Sequence, residues 1–309
     1  MNPLTSFALE IAKNPVLAAA TNTANTRIGQ DGGYAVPIDA AKMIFAPEVG
    51  ALLPLCAQLP VTQGGSLELP VDLSTAYDET GIIAGWEREV DEIDVTTPNL
   101  KRTLFTLKKL IVLTPVTDEL LADSAALAAY LPLALQTAIT RQVNEAIISG
   151  PGVARPLGIL NSAATISVSK EGAQAAGTVV DGNVKTMLAR ALNPAASTWI
   201  ANPALYAQII GLAAWDASTR TLAGLPLVLA DAAPAPGNRG DLILGDLSGY
   251  VAALKNPGLH MSSHLWFDQD ISAFRLTFRM DGMPALSGPL TPPNATTTKS
   301  HFVTLAERS

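Results

Sequence analysis

The chain has 309 residues, 48% hydrophobic and only 15% charged, with a net charge of −7 and a mean hydropathy of +0.27. Average soluble domains carry about 25% charged residues, and the negative balance excludes a protein whose main surface is a nucleic-acid groove, though not a container for nucleic acid. Membrane spans do not explain the deficit, because the most apolar stretch, AALAAYLPLAL, is about half a span and is broken by Pro132. Surface covered by other subunits does explain it, since charge is depleted at the centre of such contacts. A secretory leader is not expected, because Glu10, Lys13, Asn14 and Pro15 interrupt any apolar run near the start. The single cysteine, Cys56, excludes an internal disulfide, and its flanks, LLPLCAQLP, mark a buried thiol acting as a small hydrophobe.

Residues 1–31 are rich in Asn, Thr and Ala and read as an arm, extended or disordered, after an optional short helix. GGYAVP then opens the compact part. In SLELPV, Leu67, Leu69 and Val71 alternate with Ser66, Glu68 and Pro70, which predicts a strand, and Pro70 suits an edge or a projecting ribbon. From Thr103 to Leu113 the residues Phe105, Leu107, Ile111 and Leu113 share one face. Between these arms lies GWEREVDEID, where Trp86 stands beside Glu87, Glu89, Asp91, Glu92 and Asp94. The returning arm answers with Lys101, Arg102, Lys108 and Lys109. A long hairpin with an acidic outgoing segment and a basic return is the simplest arrangement.

Thr117 is placed as N-cap of the next helix, with Asp118 and Glu119 in a first turn whose dipole favours acids. From about Ala125 to Ser149, Leu131, Leu135, Ile139, Val143 and Ile147 recur at steps of four, with Ala138 and Ala146 widening the stripe. Pro132 is expected to kink this helix or to mark its first turn. At 1.5 Å per residue the helix reaches roughly 30–37 Å, and Gly150–Pro151 ends it. Short helices and strands follow. Asp181 is placed as cap of a helix carrying Val184, Leu188 and Leu192, TWIAN is a strand, and Asn202–Pro203 opens a helix with Leu205, Ile209 and Leu212. LPLVLA and LILGD are strands. Near the end Phe274, Leu276, Phe278 and Met280 alternate with Arg275, Thr277 and Arg279, and HFVTLAE supplies a last short strand.

Catalytic chemistry finds no constellation in this chain. His260 and His264 are four apart, a zinc spacing on a helix, but LHMSSHLW has little helical character and a loop-like setting, and His301 stands apart. The acidic cluster lacks the turn glycine and closing acid of a calcium loop, and GPGVARPLG lacks the context of a phosphate loop. No catalytic, metal or cofactor-binding residue is assigned, and no cofactor is expected.

The order of these pieces resembles the major capsid proteins of tailed bacteriophages with the Hong Kong 97-like fold. The matching stretches are GGYAVP, Trp86–Glu87 ahead of the basic ribbon, TDELLADS before the long helix, GPGVARPLGIL, WIANP, LAGLPLVLAD with GDLILGDLSGY, and RLTFRMDG. The resemblance implies an α+β chain with an N-terminal arm (1–33), a peripheral domain (34–60, 107–157 and 251–309) that contains the spine helix, an extended loop (61–106) and an axial domain (158–250). It implies that the extended loop lies across a neighbouring copy, so that Trp86, Glu87, Glu89, Asp91, Glu92, Asp94, Lys101, Arg102, Lys108 and Lys109 are inter-subunit contacts. A homo-oligomeric shell of hexamers and pentamers follows, icosahedral or prolate, with scaffold, portal and decoration proteins as partners. It would enclose double-stranded DNA without sequence-specific binding and would assemble in the bacterial host cytoplasm. Some relatives cleave a long N-terminal scaffolding segment or form a Lys–Asn cross-link; here the segment before GGYAVP is short, and no cross-link motif matches Lys101, Lys108 or Lys109. An encapsulin-like shell around a protein cargo is the alternative with the same fold, and a hydrolase or binding protein is the alternative of a different class.

Overall fold

A computed structural model describes residues 51–72, 82, 97–118, 125–292 and 296–308. The arm, GGYAVP and the acidic stretch 85–94 lie outside the described residues.

Among the described residues, two larger sheets and one ribbon make up the strand layers. The four-stranded sheet has the order β1–β11–β12–β4, formed by Ala57–Pro60, Tyr250–Trp266, Ile271–Pro284 and Lys108–Thr117. β1 runs parallel to β11, and the other two pairings are antiparallel. The seven-stranded sheet has the order β5–β13–β10–β6–β9–β8–β7. Its strands are Ile166–Val168 (β5), Thr198–Ala201 (β6), Trp215–Asp216 (β7), Thr221–Leu222 (β8), Leu225–Leu229 (β9), Leu242–Gly245 (β10) and Phe302–Leu305 (β13). The last strand, grouped above with segment 251–309, therefore pairs between β5 and β10 in this sheet.

The long helix, α1, is described over Ala125–Ser149, 25 residues and about 37 Å. It runs through Pro132 and stops at Gly150, as the glycine–proline signal demands. Leu135, Ile139, Val143 and Ile147 are each at most 5% exposed and pack against Leu276, Phe278 and Met280 of β12. Ala146 joins this stripe. Ala138, about 100° round the helix from Ile139, is exposed and does not. Thr117, expected as the helix cap, ends β4 and is followed directly by helical Asp118, while residues 119–124 lie outside the described residues.

The same core reaches Ile200, Ile243 and Phe302 on one face of the seven-stranded sheet. Trp199, Ala201, Leu242, Leu244, Val303 and Leu305 point to the other face, against Val184 and Met187 of helix α2 (Asp181–Arg190). With both faces covered, β10 is buried along its whole length. Asp181 does not cap α2. Extended Val180 holds that place, and the Asn183 side chain accepts the Val180 N–H at 3.1 Å. The Asp181 carboxylate instead accepts the N–H groups of Ala213 and Ala214, tying the helix start to a later loop. Asn202 caps as expected, accepting the Ala204 N–H at 2.9 Å ahead of Pro203. The helix it leads to, α3 (Tyr206–Ile209), ends before Leu212.

Cys56 sits in the main core, 7% exposed, with Sγ donating to the Leu52 carbonyl. Burial pushes its thiol from an ordinary 9.0 up to about 12. The folded chain thus keeps this proton while the unfolded chain loses it from about pH 9, so the stability owed to the thiol falls as pH rises from about 9 to 12. The thiol is expected to resist an aromatic disulfide reagent at pH 8 and to react fully in denaturant. Rapid labelling of the folded chain would contradict its burial.

Candidate subunit interface

The ribbon predicted from SLELPV is present. Strand β2 (Ser66–Asp72) pairs antiparallel with β3 (Leu100–Thr106), from Ser66↔Thr106 at the base to Asp72↔Leu100 at the far end. Its base is anchored firmly. Phe105 is 2% exposed and packs with Val61 and Ala253, and the Leu107 N–H donates to the Gly65 carbonyl at 2.9 Å. The Thr106 N–H donates to the Asp281 carboxylate, and Lys255 Nζ donates to the Gly64 carbonyl. Further out, Leu104 and Leu100 are 54% and 61% exposed. The ribbon is anchored at its base and projects.

β3 and β4 follow each other through Leu107, and the alternation carries across. Odd positions therefore share a face, as the sequence indicated, but it is not the face of the main core. Phe105 and Leu107 pack with Val251, Ala253 and Met283 beneath the ribbon base. Ile111 and Leu113 remain about half exposed. The even positions, Leu110 and Val112, meet the main core.

The four candidate bases separate accordingly. Lys101 and Arg102 lie exposed on the ribbon, where Arg102 pairs with Glu68 at 3.3 Å, a solvated contact of little energetic weight. Lys108 turns inward to Asp281 at 2.7 Å. Lys109 lies on the outer sheet face, in register with Arg279, which is in turn in register with Lys255. Two residues along from Arg279 and beyond, Thr277 and Arg275 continue this face, with His260 opposite Arg275. Together these residues line a shallow groove of about 210 Å³. Trp86, Glu87, Glu89, Asp91, Glu92 and Asp94 lie outside the described residues.

Arg275, Arg279, Lys255 and His260 were not among the expected contacts. Arg275 and Arg279 were visible only as the polar positions of an alternating strand; the strand register adds the other two. His260 and His264, expected in loop-like surroundings, both lie on β11. His264 falls in the irregular stretch of β11 between Ser262 and Trp266, not at the helical spacing of a zinc pair. Among the described residues no group of three His, Cys, Asp or Glu side chains is placed to hold a metal. GPGVARPLG is a close-packed corner. The Gly158 N–H donates to the Gly150 carbonyl at 2.9 Å, and the Leu157 N–H donates to Gly282 of β12 at 2.8 Å.

This fold recurs in solved capsid structures. The capsid of an empty GTA particle computed with C5 symmetry is 19% identical over 92% of this chain and 99% of that one, with a TM-score of 0.68. The native GTA particle capsid gives 0.64 at the same identity and coverage. The capsid subunit of Mycobacterium phage Cain gives 0.58 at 14% identity, over 85% of this chain and 92% of that one. No curated protein sequence matches. The model of the phage capsid family matches residues 32–294, most of the chain, including the ribbon, the long helix, the four-stranded sheet and every strand of the seven-stranded sheet but β13, and the chain belongs to that family.

Proposed function

We propose that this structural protein is the major capsid protein of a tailed phage, prophage or gene-transfer particle, repeated as hexamers and pentamers in a closed shell around double-stranded DNA. The ribbon β2–β3 carries this reading. It is fixed at the base by Phe105 and the Asp281 carboxylate, yet it presents Leu100 and Leu104 to solvent, an apolar surface that a second copy would cover. In this arrangement the ribbon and residues 73–99 cross a neighbouring copy, and Lys101 and Arg102 meet it there. Helix α1 with the four-stranded sheet forms the peripheral domain, and the sheet of β5–β10 and β13 forms the body of the axial domain. A scaffold guides closure, a portal admits the DNA, decoration proteins bind the finished surface, and assembly takes place in the bacterial cytoplasm.

Purified chain at high concentration, with any scaffold supplied, is expected to form rings or closed shells tens of nanometres across in negative stain. Nuclease-protected double-stranded DNA is expected in particles recovered from a packaging host. A strictly monomeric species under every condition would overturn the proposal, and shells holding a folded protein cargo and no DNA would overturn its second half.

A further inference from the structure

The outer face of the four-stranded sheet holds an arrangement that a lone subunit has no reason to keep. Lys109, Arg279 and Lys255 stand in one row across three adjacent strands. Neighbouring strands lie about 4.8 Å apart, and like charges directly opposite each other destabilise a sheet. Arg275 and His260 form a second row further along the same strands, beside Leu113. Among the described residues no carboxylate pairs with Lys109, Lys255, Arg275 or Arg279, although the chain has 27 acids against 20 bases. Asp281, on the neighbouring part of this face, is engaged by Lys108. The face is not wholly polar either, for Ile111 and Leu113 are 46% and 51% exposed along its β4 side.

We infer that this groove receives the acidic segment 85–94 of a second copy of the chain. The inference rests on the capsid reading and names the surface on which the extended loop docks. Charge complementarity argues for that occupant: GWEREVDEID carries five carboxylates and one arginine, and residues 73–99 contain no other base. The apolar residues match as well. Trp86, Val90 and Ile93 interleave with the acids as Ile111 and Leu113 accompany the bases. A second copy is favoured over the same copy by the ribbon's length. Leu100 lies about 20 Å along β3 from Thr106, and Lys109 follows three residues after Thr106, so a segment meeting its own row would retrace the ribbon. Lys109 is the one base expected from sequence that lies in this receptor, and Lys255, Arg275, Arg279 and His260 complete it.

Two measurements test the docking. The variant Lys109→Glu with Arg279→Glu, and separately Glu87→Lys with Glu89→Lys, are expected to melt as the native subunit does and to reduce shell yield at least tenfold. Combining all four substitutions in one chain is expected to restore shells, because each reversed row then meets a reversed segment. Folded variants with no restoration would overturn the docking. Normal shells from Lys109→Glu with Arg279→Glu that lose only their nuclease-protected DNA would also overturn it, assigning the face to packaged nucleic acid. The second measurement does not depend on shells. Equal amounts of ordinary and nitrogen-15-labelled native chain, mixed and treated with a carbodiimide, are expected to yield amides joining Lys109 or Lys255 to an acid of residues 87–94 in mixed-isotope peptides. Links confined to single-isotope peptides, or no such links in the concentrated mixture, would overturn the docking even if the native chain forms shells. If these mixed links appear and no shell does, the capsid proposal fails while the docking stands.

Discussion

Asp241→Asn is expected to lower the melting temperature of the dissociated subunit on the order of 10 °C, the equivalent of about 3–5 kcal/mol. The side chains of Asp241 and Arg308 are both fully buried. They meet through two hydrogen bonds, one from Arg308 Nη1 at 3.1 Å and a second from Nη2. Arg308 also donates from Nε to the Thr178 carbonyl at 2.7 Å, and Asp241 accepts the Gly237 N–H at 2.8 Å. Backbone bonds from Arg308 to Gly237 and from Gly177 to Arg308 complete the closure, so the last residues are knitted into two loops of the seven-stranded sheet. An amide at 241 removes the charge and leaves the guanidinium buried without a counter-ion, and that uncompensated cation dominates the cost. Asp241→Leu with Arg308→Met is expected to recover most of the loss, because it removes both charges. Thermal melts of the three chains decide the matter. Native-like melting of Asp241→Asn would mean that the cation reaches water.

That pair shows where sequence reading stops. Asp241 lies in a glycine-rich loop and Arg308 one residue from the C-terminus, and no local pattern links them. The basic groove is hidden for the same reason. Its residues come from three strands, and an irregularity between Lys255 and Gly258 separates the two rows on β11. Short-range features were legible: the alternation of Phe274 to Met280, the four-residue steps of α1, the Asn202 cap and the paired arms of the ribbon all follow from backbone periodicity or capping chemistry. Periodicity gives a face without saying what covers it. Ile111 and Leu113 share their face with Phe105 and Leu107, but only the second pair is covered by the ribbon base. Lys108 and Lys109, adjacent in sequence, also part: Lys108 reaches the buried Asp281 carboxylate, and Lys109 lines the open groove.

Gly158→Ala is expected to cost several kcal/mol and to abolish recovery of soluble subunit at 37 °C, although alanine tolerates the backbone there. Gly158 has φ −75° and ψ 158°, an extended conformation open to any residue. Its glycine is required by contact. A Cβ at 158 would lie 2.7 Å from the Ile148 carbonyl oxygen and would overlap the Gly150 nitrogen. On the facing segment, a Cβ at Gly150 would lie 2.5 Å from the Ala146 carbonyl oxygen and would overlap the Pro156 carbonyl. These obstacles are main-chain atoms at the end of α1, and main chain cannot turn aside as a side chain does. Relief would separate Gly150 from Gly158, breaking their hydrogen bond and loosening the corner that places Leu157 against Gly282 of β12. Forced overpacking typically costs about 1–3 kcal/mol, and more where the backbone itself must shift. Gly224 provides the control. It has φ +78° in the two-residue turn between β8 and β9, with nothing within 4 Å of an added Cβ. Gly224→Ala therefore meets only the left-handed strain, about 1–2 kcal/mol. Urea unfolding of the two variants at 15 °C separates contact from conformation: Gly158→Ala should show the much lower midpoint, and equal midpoints would mean that the corner can open without disturbing the contact between helix and sheet.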